Sequence, residues 1–171
     1  MTARGAVGAV LLLVVLAFGG GCGYSLRLSL PAGIKTVHIP VLENRTQEPG
    51  IEDFLTQALT QAVVTSGIKI AANAQGADAS LEGAIVEYAL SSLAFDRAAN
   101  VTQYRLHIAL ALSLRDLRKQ EIIWKQDRIE ERADFAVSGQ VTQTLAREEL
   151  AVRRAAVDIS RAIVSFAFEG F

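Results

Sequence analysis

Residues 101–115, VTQYRLHIALALSLR, decide how this chain folds. Leu106, Ile108, Leu110, Leu112 and Leu114 alternate with Arg105, His107, Ala109, Ala111 and Ser113. An apolar residue at every second position over such a length predicts a strand with one buried face, as in an antiparallel sheet. The next residues, RDLRKQE, have the composition of a turn, and a second strand is expected over 121–135. That strand is highly charged beyond Trp124, so its far end should project from the core or lie at an edge. On the other side, residues 79–90, ASLEGAIVEYAL, predict a third strand. Leu81, Gly83 and Ile85 share one phase, then Val86, Tyr88 and Leu90 share the other. The slip at Ile85-Val86 predicts a bulge or a bend.

Further outward the period changes from two to about 3.6. Ile51, Phe54, Leu55, Ala58, Leu59, Ala62 and Val63 recur at spacings of three and four, which predicts an amphipathic helix. Pro49 is expected in its first turn with Glu52 and Asp53 near the positive end of the dipole, and Gly67 is its natural stop. Before it, IKTVHIPVL (34–42) predicts a first strand that ends or reaches an edge at Pro40, which has no N–H to donate. ENRTQEPG (43–50) is expected as a loop, and Ile68-Lys69-Ile70 as a brief extended piece. The chain closes on a helix over about 141–168, with Leu145, Val152, Ala156, Ile159, Ile163 and Phe166 on one face. The order is β-α-β-β-β-α. It predicts an α+β fold: two helices packed on one face of a mostly antiparallel four-stranded mixed sheet, in one domain over residues 34–171.

The N-terminus carries a different signal. Arg4 is followed by AVGAVLLLVVLAF, residues 6–18, and then three glycines, Gly19 to Gly21, and Cys22. A membrane-spanning helix needs about 20 apolar residues. This run is shorter, and its small-residue exit fits a secretory signal peptide over residues 1–21, with cleavage expected after Gly21. Cys22 is the only cysteine, so it has no partner for an intramolecular disulfide or a cysteine-based zinc site. A cysteine at a signal-peptide exit resembles the bacterial lipoprotein signal, in which the thiol is acylated and becomes the first residue of the mature chain. Gly19 stands where the usual signal has leucine. A single acyl chain anchors only marginally, and bacterial lipoproteins carry several on this residue. Residues 22–33, with Leu26, Leu28 and Leu30 alternating with Ser25, Arg27 and Ser29, are expected to form the lipidated start and a tether. No cofactor is expected beyond this covalent lipid.

Losing Arg4 with the leader leaves a net charge of about −2, which carries no nucleic-acid footprint. Catalytic groups are not apparent. Both histidines, His38 and His107, sit in predicted strands, and no GxSxG, HExxH, phosphate-cradling glycine loop or EF-hand loop occurs. Glu130-Glu131 and Glu148-Glu149 are sequence neighbours that point apart, so they are poor acid/base pairs. No metal site is expected. The remaining candidate is a set of cations near strand ends: Arg97 in LAFDRAAN, Arg115, Arg118 and Lys119 at the hairpin turn, and Lys125 and Arg128 on the strand that follows. Lys and Arg at such places also serve as edge protection. The functional reading is a patch for phosphorylated lipid headgroups.

The segments GCGYSLR (21–27), LPAGIKTVHIPVLENRTQEPGIE (30–52), ADASLEGAIVEY (77–88), VTQYRLHIALALSLRD (101–116) and IIW (122–124), taken in this order, resemble the lipopolysaccharide-assembly lipoprotein family, LptE. Leu42 stands where the family motif has phenylalanine. The resemblance covers nearly the whole mature chain and includes no catalytic signature. It implies a non-enzymatic lipoprotein on the periplasmic side of the outer membrane, two helices against a four-stranded sheet, and a complex in which the protein plugs the β-barrel translocon LptD and binds lipopolysaccharide. It raises the weight of the six cations as a lipopolysaccharide site. The strand-to-helix segment with IPV and ENRT is also similar to lipoproteins that activate peptidoglycan synthases or build secretion pores, which leaves a periplasmic regulator or pore builder as the alternative.

Overall fold

The computed structural model describes residues 34–137 and 139–169. The expected leader (1–21), its cleavage point after Gly21 and the lipidated tether (22–33) with Cys22 lie outside the described residues. Two helices and a mixed sheet form an α+β fold, as the periodicities predict. The elements are β1 Thr36–His38, β2 Glu43–Asn44, α1 Ile51–Thr65, β3 Lys69–Ile70, β4 Ala79–Phe95, β5 Val101–Asp116, β6 Glu121–Ala136 and α2 Val141–Val164.

The sheet has six strands rather than four, and part of it is parallel. Its order is β3-β1-β4-β5-β6, with β2 also paired to β4. Pro40 explains one added strand. The first predicted strand is cut there, because proline cannot donate to a ladder. Val37 and His38 lie opposite Ala79 and Ser80, and the chain rejoins β4 only at Glu43 and Asn44, opposite Ala84 and Ile85. The break also changes the phase. Val37 is buried, Val41 is exposed and Leu42 is buried again. The other added strand is the extended piece Lys69–Ile70, which pairs in parallel with Thr36 and Val37 after α1 crosses over.

The three long strands match their predicted spans closely. β4 and β5 keep an antiparallel register from Ala79↔Asp116 to Phe95↔Val101, with shifts between Ile85 and Glu87, Ser92 and Ala94, and Ala94 and Phe95. The first of these is the bulge that the phase slip predicts. Its effect is to keep Leu81, Gly83, Ile85, Tyr88 and Leu90 on one face, opposite Leu114, Leu112, Leu110, Ile108 and Leu106. Gly83 is required by closeness: a Cβ there would collide with the Ala111 carbonyl and lie 2.9 Å from Leu112 Cα.

α1 starts after Pro49, which the sequence predicts inside its first turn, and Gly50 is the N-cap with φ 81°. Its end is a Schellman motif: Gly67 N–H donates to Val64 O at 3.0 Å and Ile68 N–H to Val63 O at 3.3 Å, with Gly67 at φ 87°. Ile51, Leu55, Leu59 and Val63 are its buried face. α2 buries Ala151, Val152, Ala155, Ala156, Ile159, Ser160, Ile163 and Val164. Two residues of its expected face are exposed instead. Leu145 lies in the first turns, where no residue is buried. Phe166 falls in a π-helical turn, Ser165–Glu169, whose wider winding turns it outward and buries Ala167 and Phe168. One hydrophobic cluster joins both helices to β4, β5 and β6.

Candidate functional site

The six cations expected as one patch fall at different places. Arg115, Arg118 and Lys119 stand at the β5–β6 turn. Arg97 stands in the β4–β5 turn, at the other end of the same ladder. Fourteen residues separate Val101 from Arg115, so the two turns are roughly 45 Å apart. Consecutive turns of an antiparallel meander alternate between ends, and this is why residues that all lie near strand ends do not converge. Lys125 and Arg128 lie along β6 itself.

The β5–β6 turn is built around two carboxylates. Asp116 is buried and accepts from Arg118 N–H at 2.8 Å and Lys119 N–H at 3.0 Å. These peptide donors hold its carboxyl below the usual aspartate range. Gln120 takes the left-handed conformation that closes the turn, at φ 59°. Asp78 ties the turn to β1: it accepts from Lys35 N–H at 2.8 Å and from Thr36 N–H and Oγ1 at 3.0 Å, while Leu117 N–H donates to its carbonyl at 2.9 Å. The Lys35 donor is the main cause of its lowered pKa. Arg118 hangs over both acids, 3.8 Å from Asp78 and 3.9 Å from Asp116, and Lys119 is 3.4 Å from Glu121. The cations of this end therefore stand among nearby acids. Lys125 is paired with Asp127 at 2.7 Å. The Arg97 turn is held by Asp96, which accepts from Ala98 N–H, Asn100 N–H and Asn100 Nδ2 at 2.8–3.0 Å.

Arg128 is committed elsewhere. It bonds Glu87 on β4 and Glu130 on β6. Glu87 and Glu130 both lie opposite Ala109 of β5, so the guanidinium spans the central strand over a methyl group. Ala109 is accordingly buried, although it lies on the face away from the helices. The hydrogen bond from Arg128 is the main cause of the lowered Glu87 pKa. On the same face Arg132 bonds Glu130, Arg105 bonds Asp134 through two contacts of 2.7 and 2.8 Å, and His107 Nε2 lies 3.2 Å from Ser91 Oγ. This face is a mixed-sign lattice.

The helix side holds features that the sequence reading missed. Tyr88 of β4 donates to Glu148 of α2 at 2.8 Å, and burial together with that carboxylate pushes the phenol well above its ordinary value. Beside it, α1 and α2 run in the same direction and leave a groove of about 780 Å³. Phe54, Ala58, Ala62 and Val157 line it, with Arg153 stacked 4.7 Å above the Phe54 ring and held by Glu149 at 2.8 Å. Alanines at helical spacing are the only sequence trace of this groove, and they read equally well as core. Among the described residues, no group of three or more His, Cys, Asp or Glu is arranged to hold a metal ion, and no helix is long and apolar enough to cross a membrane.

A family model described as LptE, lipopolysaccharide-assembly, matches residues 34–166. Solved structures share the fold. Rare lipoprotein B from Shewanella oneidensis is 17% identical, with 77% of this chain and 92% of that chain covered and a TM-score of 0.52. Lipoprotein B from Nitrosomonas europaea is 16% identical, with 80% and 85% covered and a TM-score of 0.54. PelC from Paraburkholderia phytofirmans, a dodecamer, is 15% identical, with 80% and 91% covered and a TM-score of 0.52. At such identities the likeness is one of fold. No curated protein matches the chain in sequence.

Proposed function

The chain belongs to the LptE family of lipopolysaccharide assembly, and from that premise we propose that it is a non-enzymatic lipoprotein of the outer membrane. It is cut after Gly21, anchored on the periplasmic side through lipid on Cys22, assembles with and plugs the β-barrel translocon LptD, and binds lipopolysaccharide on its way to the cell surface. The family match carries this reading. The surface supports it: cations and carboxylates alternate across the open sheet face, and a barrel lumen presents polar walls to its plug.

Lipopolysaccharide phosphates are assigned to the β5–β6 turn, where Arg115, Arg118 and Lys119 stand with Lys35 close by. Arg97 contributes from the opposite end as a separate contact, and Lys125 and Arg128 are lesser candidates because they hold their acids at hydrogen-bond distance, whereas Arg118 and Lys119 lie 3.4–3.9 Å from theirs. Co-purification from detergent-solubilised outer membranes tests the assembly: a large β-barrel partner is expected. Recovery of a penicillin-binding protein in its place would favour the regulator. Reversing Arg118 and Lys119 to Glu is expected to weaken lipopolysaccharide binding about tenfold, since losing two charge-assisted contacts at an exposed site costs on the order of 1–2 kcal/mol. Unchanged binding sinks the assignment of this turn.

A further inference from the structure

α1 carries more apolar surface than the core uses. Its buried face is Ile51, Leu55, Leu59 and Val63, whereas Phe54, Ala58 and Ala62 form a second row that is only half-buried. That row is one wall of the groove of about 780 Å³ between the helices. The facing wall, on α2, is built from Ala156 and a row in which exposed Val157 stands one helical turn from Arg153 on one side and from Arg161 on the other. From Phe54 to Thr65 the groove runs roughly 17 Å, the length of a medium-chain acyl group.

Charge decides the kind of occupant. Among the described residues that line the groove, the charged ones are Arg153 and Arg161, and none is acidic. Their carboxylate partners stand off it: Glu149 lines the neighbouring cavity around Tyr88 and Glu148, and Asp158 lines neither. All four of these side chains are more than half exposed, and ion pairs of this kind hold their partners weakly. Each guanidinium keeps N–H donors beyond those its carboxylate takes. Arg153 is fixed over the groove by the Phe54 ring, 4.7 Å below it. Gln57 and Gln61 are exposed and stand at the rim, while the floor presents the methyl groups of Ala58, Ala62 and Ala156. An extended peptide laid on such a floor would bury N–H and C=O groups without partners. A hydrocarbon chain has none to lose, and every methylene it buries is favourable.

We propose that the groove between α1 and α2 holds an anionic lipid, with its acyl chain along Phe54, Ala58 and Ala62 and its phosphate or carboxylate head on Arg153 and Arg161. Both cations rise from the α2 rim, so the head lies along that rim and the chain on the floor beneath it. The site is separate from the β5–β6 turn and does not depend on what that turn binds.

Photolabelling of the full-length protein in phosphatidylcholine vesicles tests it. The probes share one diazirine-bearing acyl chain and differ in the head: lysophosphatidate, the free fatty acid and the uncharged fatty alcohol. The two anionic probes are expected to label peptides of α1 and α2 about fivefold more than the alcohol does, as exposed charge-assisted contacts entail. Whichever of the two labels more strongly names the head, and either supports the proposal. Arg153→Gln combined with Arg161→Gln is expected to bring both down to the level of the alcohol, with an unchanged circular dichroism spectrum. Ala58→Phe, which fills the floor, is expected to remove labelling by all three. Equal labelling by the alcohol in the wild type, labelling that survives the double arginine variant, or labelling that maps to other parts of the chain overturns the proposal. Arg118→Glu combined with Lys119→Glu is expected to leave groove labelling unchanged. A fall in that variant would assign the lipid to the β5–β6 turn and overturn the groove. A benzophenone placed at position 58 that captures a protein in place of lipid would assign the groove to a partner and overturn it too.

Discussion

The two halves of β4 belong to one continuous strand and live in opposite surroundings. From Ala79 to Ile85 the strand has β1 and β2 on one side, β5 on the other and α1 above it, and Leu81 and Ile85 are fully buried. From Glu87 to Phe95 its only strand partner among the described residues is β5, α2 reaches it through the Tyr88–Glu148 bond at the boundary, and its leucines are exposed. The hydrophobic pattern is equally good in both halves, AxLxGxI and YxL. Alternation in sequence therefore marks which face can be buried, while neighbours decide whether it is.

The largest test of this contrast is truncation of the same residue type in each half. Leu81→Ala is expected to cost about 2–5 kcal/mol in urea unfolding, as buried leucines do. Leu90→Ala, in the exposed half, is expected to cost no more than about 0.5 kcal/mol. Equal costs would break the comparison. Gly83→Ala comes next. The added methyl meets β5 backbone, and about 1–3 kcal/mol is expected from overpacking. Asp78→Asn sharpens the contrast at the anchored end. Its carboxylate accepts three bonds from Lys35 and Thr36, and a loss of about 2 kcal/mol at neutral pH is expected. The sign of the pH dependence follows from its lowered pKa. The stabilisation is complete above the ordinary aspartate value of 3.8 and fades as pH falls through the lower folded value. Acid titration of the variant should lack that part of the slope.

Tyr88→Phe, at the boundary of the halves, is the smallest expected effect, about 1 kcal/mol for one hydrogen bond. Here the sign is reversed. The phenol pKa is raised by burial and Glu148, so the contribution is present below pH 10 and is lost as pH rises through the folded value. Alkaline unfolding followed by fluorescence should shift for the wild type and not for the variant.

The long strands, both helices, the bulge after Ile85 and the charged edge of β6 were legible because each is written in a local period or composition. The parallel part of the sheet was less so. Two-residue strands such as Lys69–Ile70 carry no period, and only contact with β1 makes them strands. Pro40 announced an interruption without telling that the chain would rejoin β4 at Glu43. Leu145 and Phe166 share the helical period of the core. Their exposure comes from a helix that begins beyond the packed region and from one wide turn near its end. The cations were found individually. Their separation is a property of the ladder, which sets Arg97 and Arg118 at opposite ends although both border turns of the same meander.

The tie from Arg128 to Glu87 has a consequence for how the sheet is assembled. β4 and β6 are not neighbours, and each could keep its own pairing with β5 while sliding by a residue. A slip of one would turn Arg128 toward the helices and take Glu87 out of its reach. The crossing over Ala109 thus acts as a cross-check between two ladders, satisfied only when both are correctly aligned. A bulky residue in place of that alanine would leave each ladder intact and remove the means of comparing them.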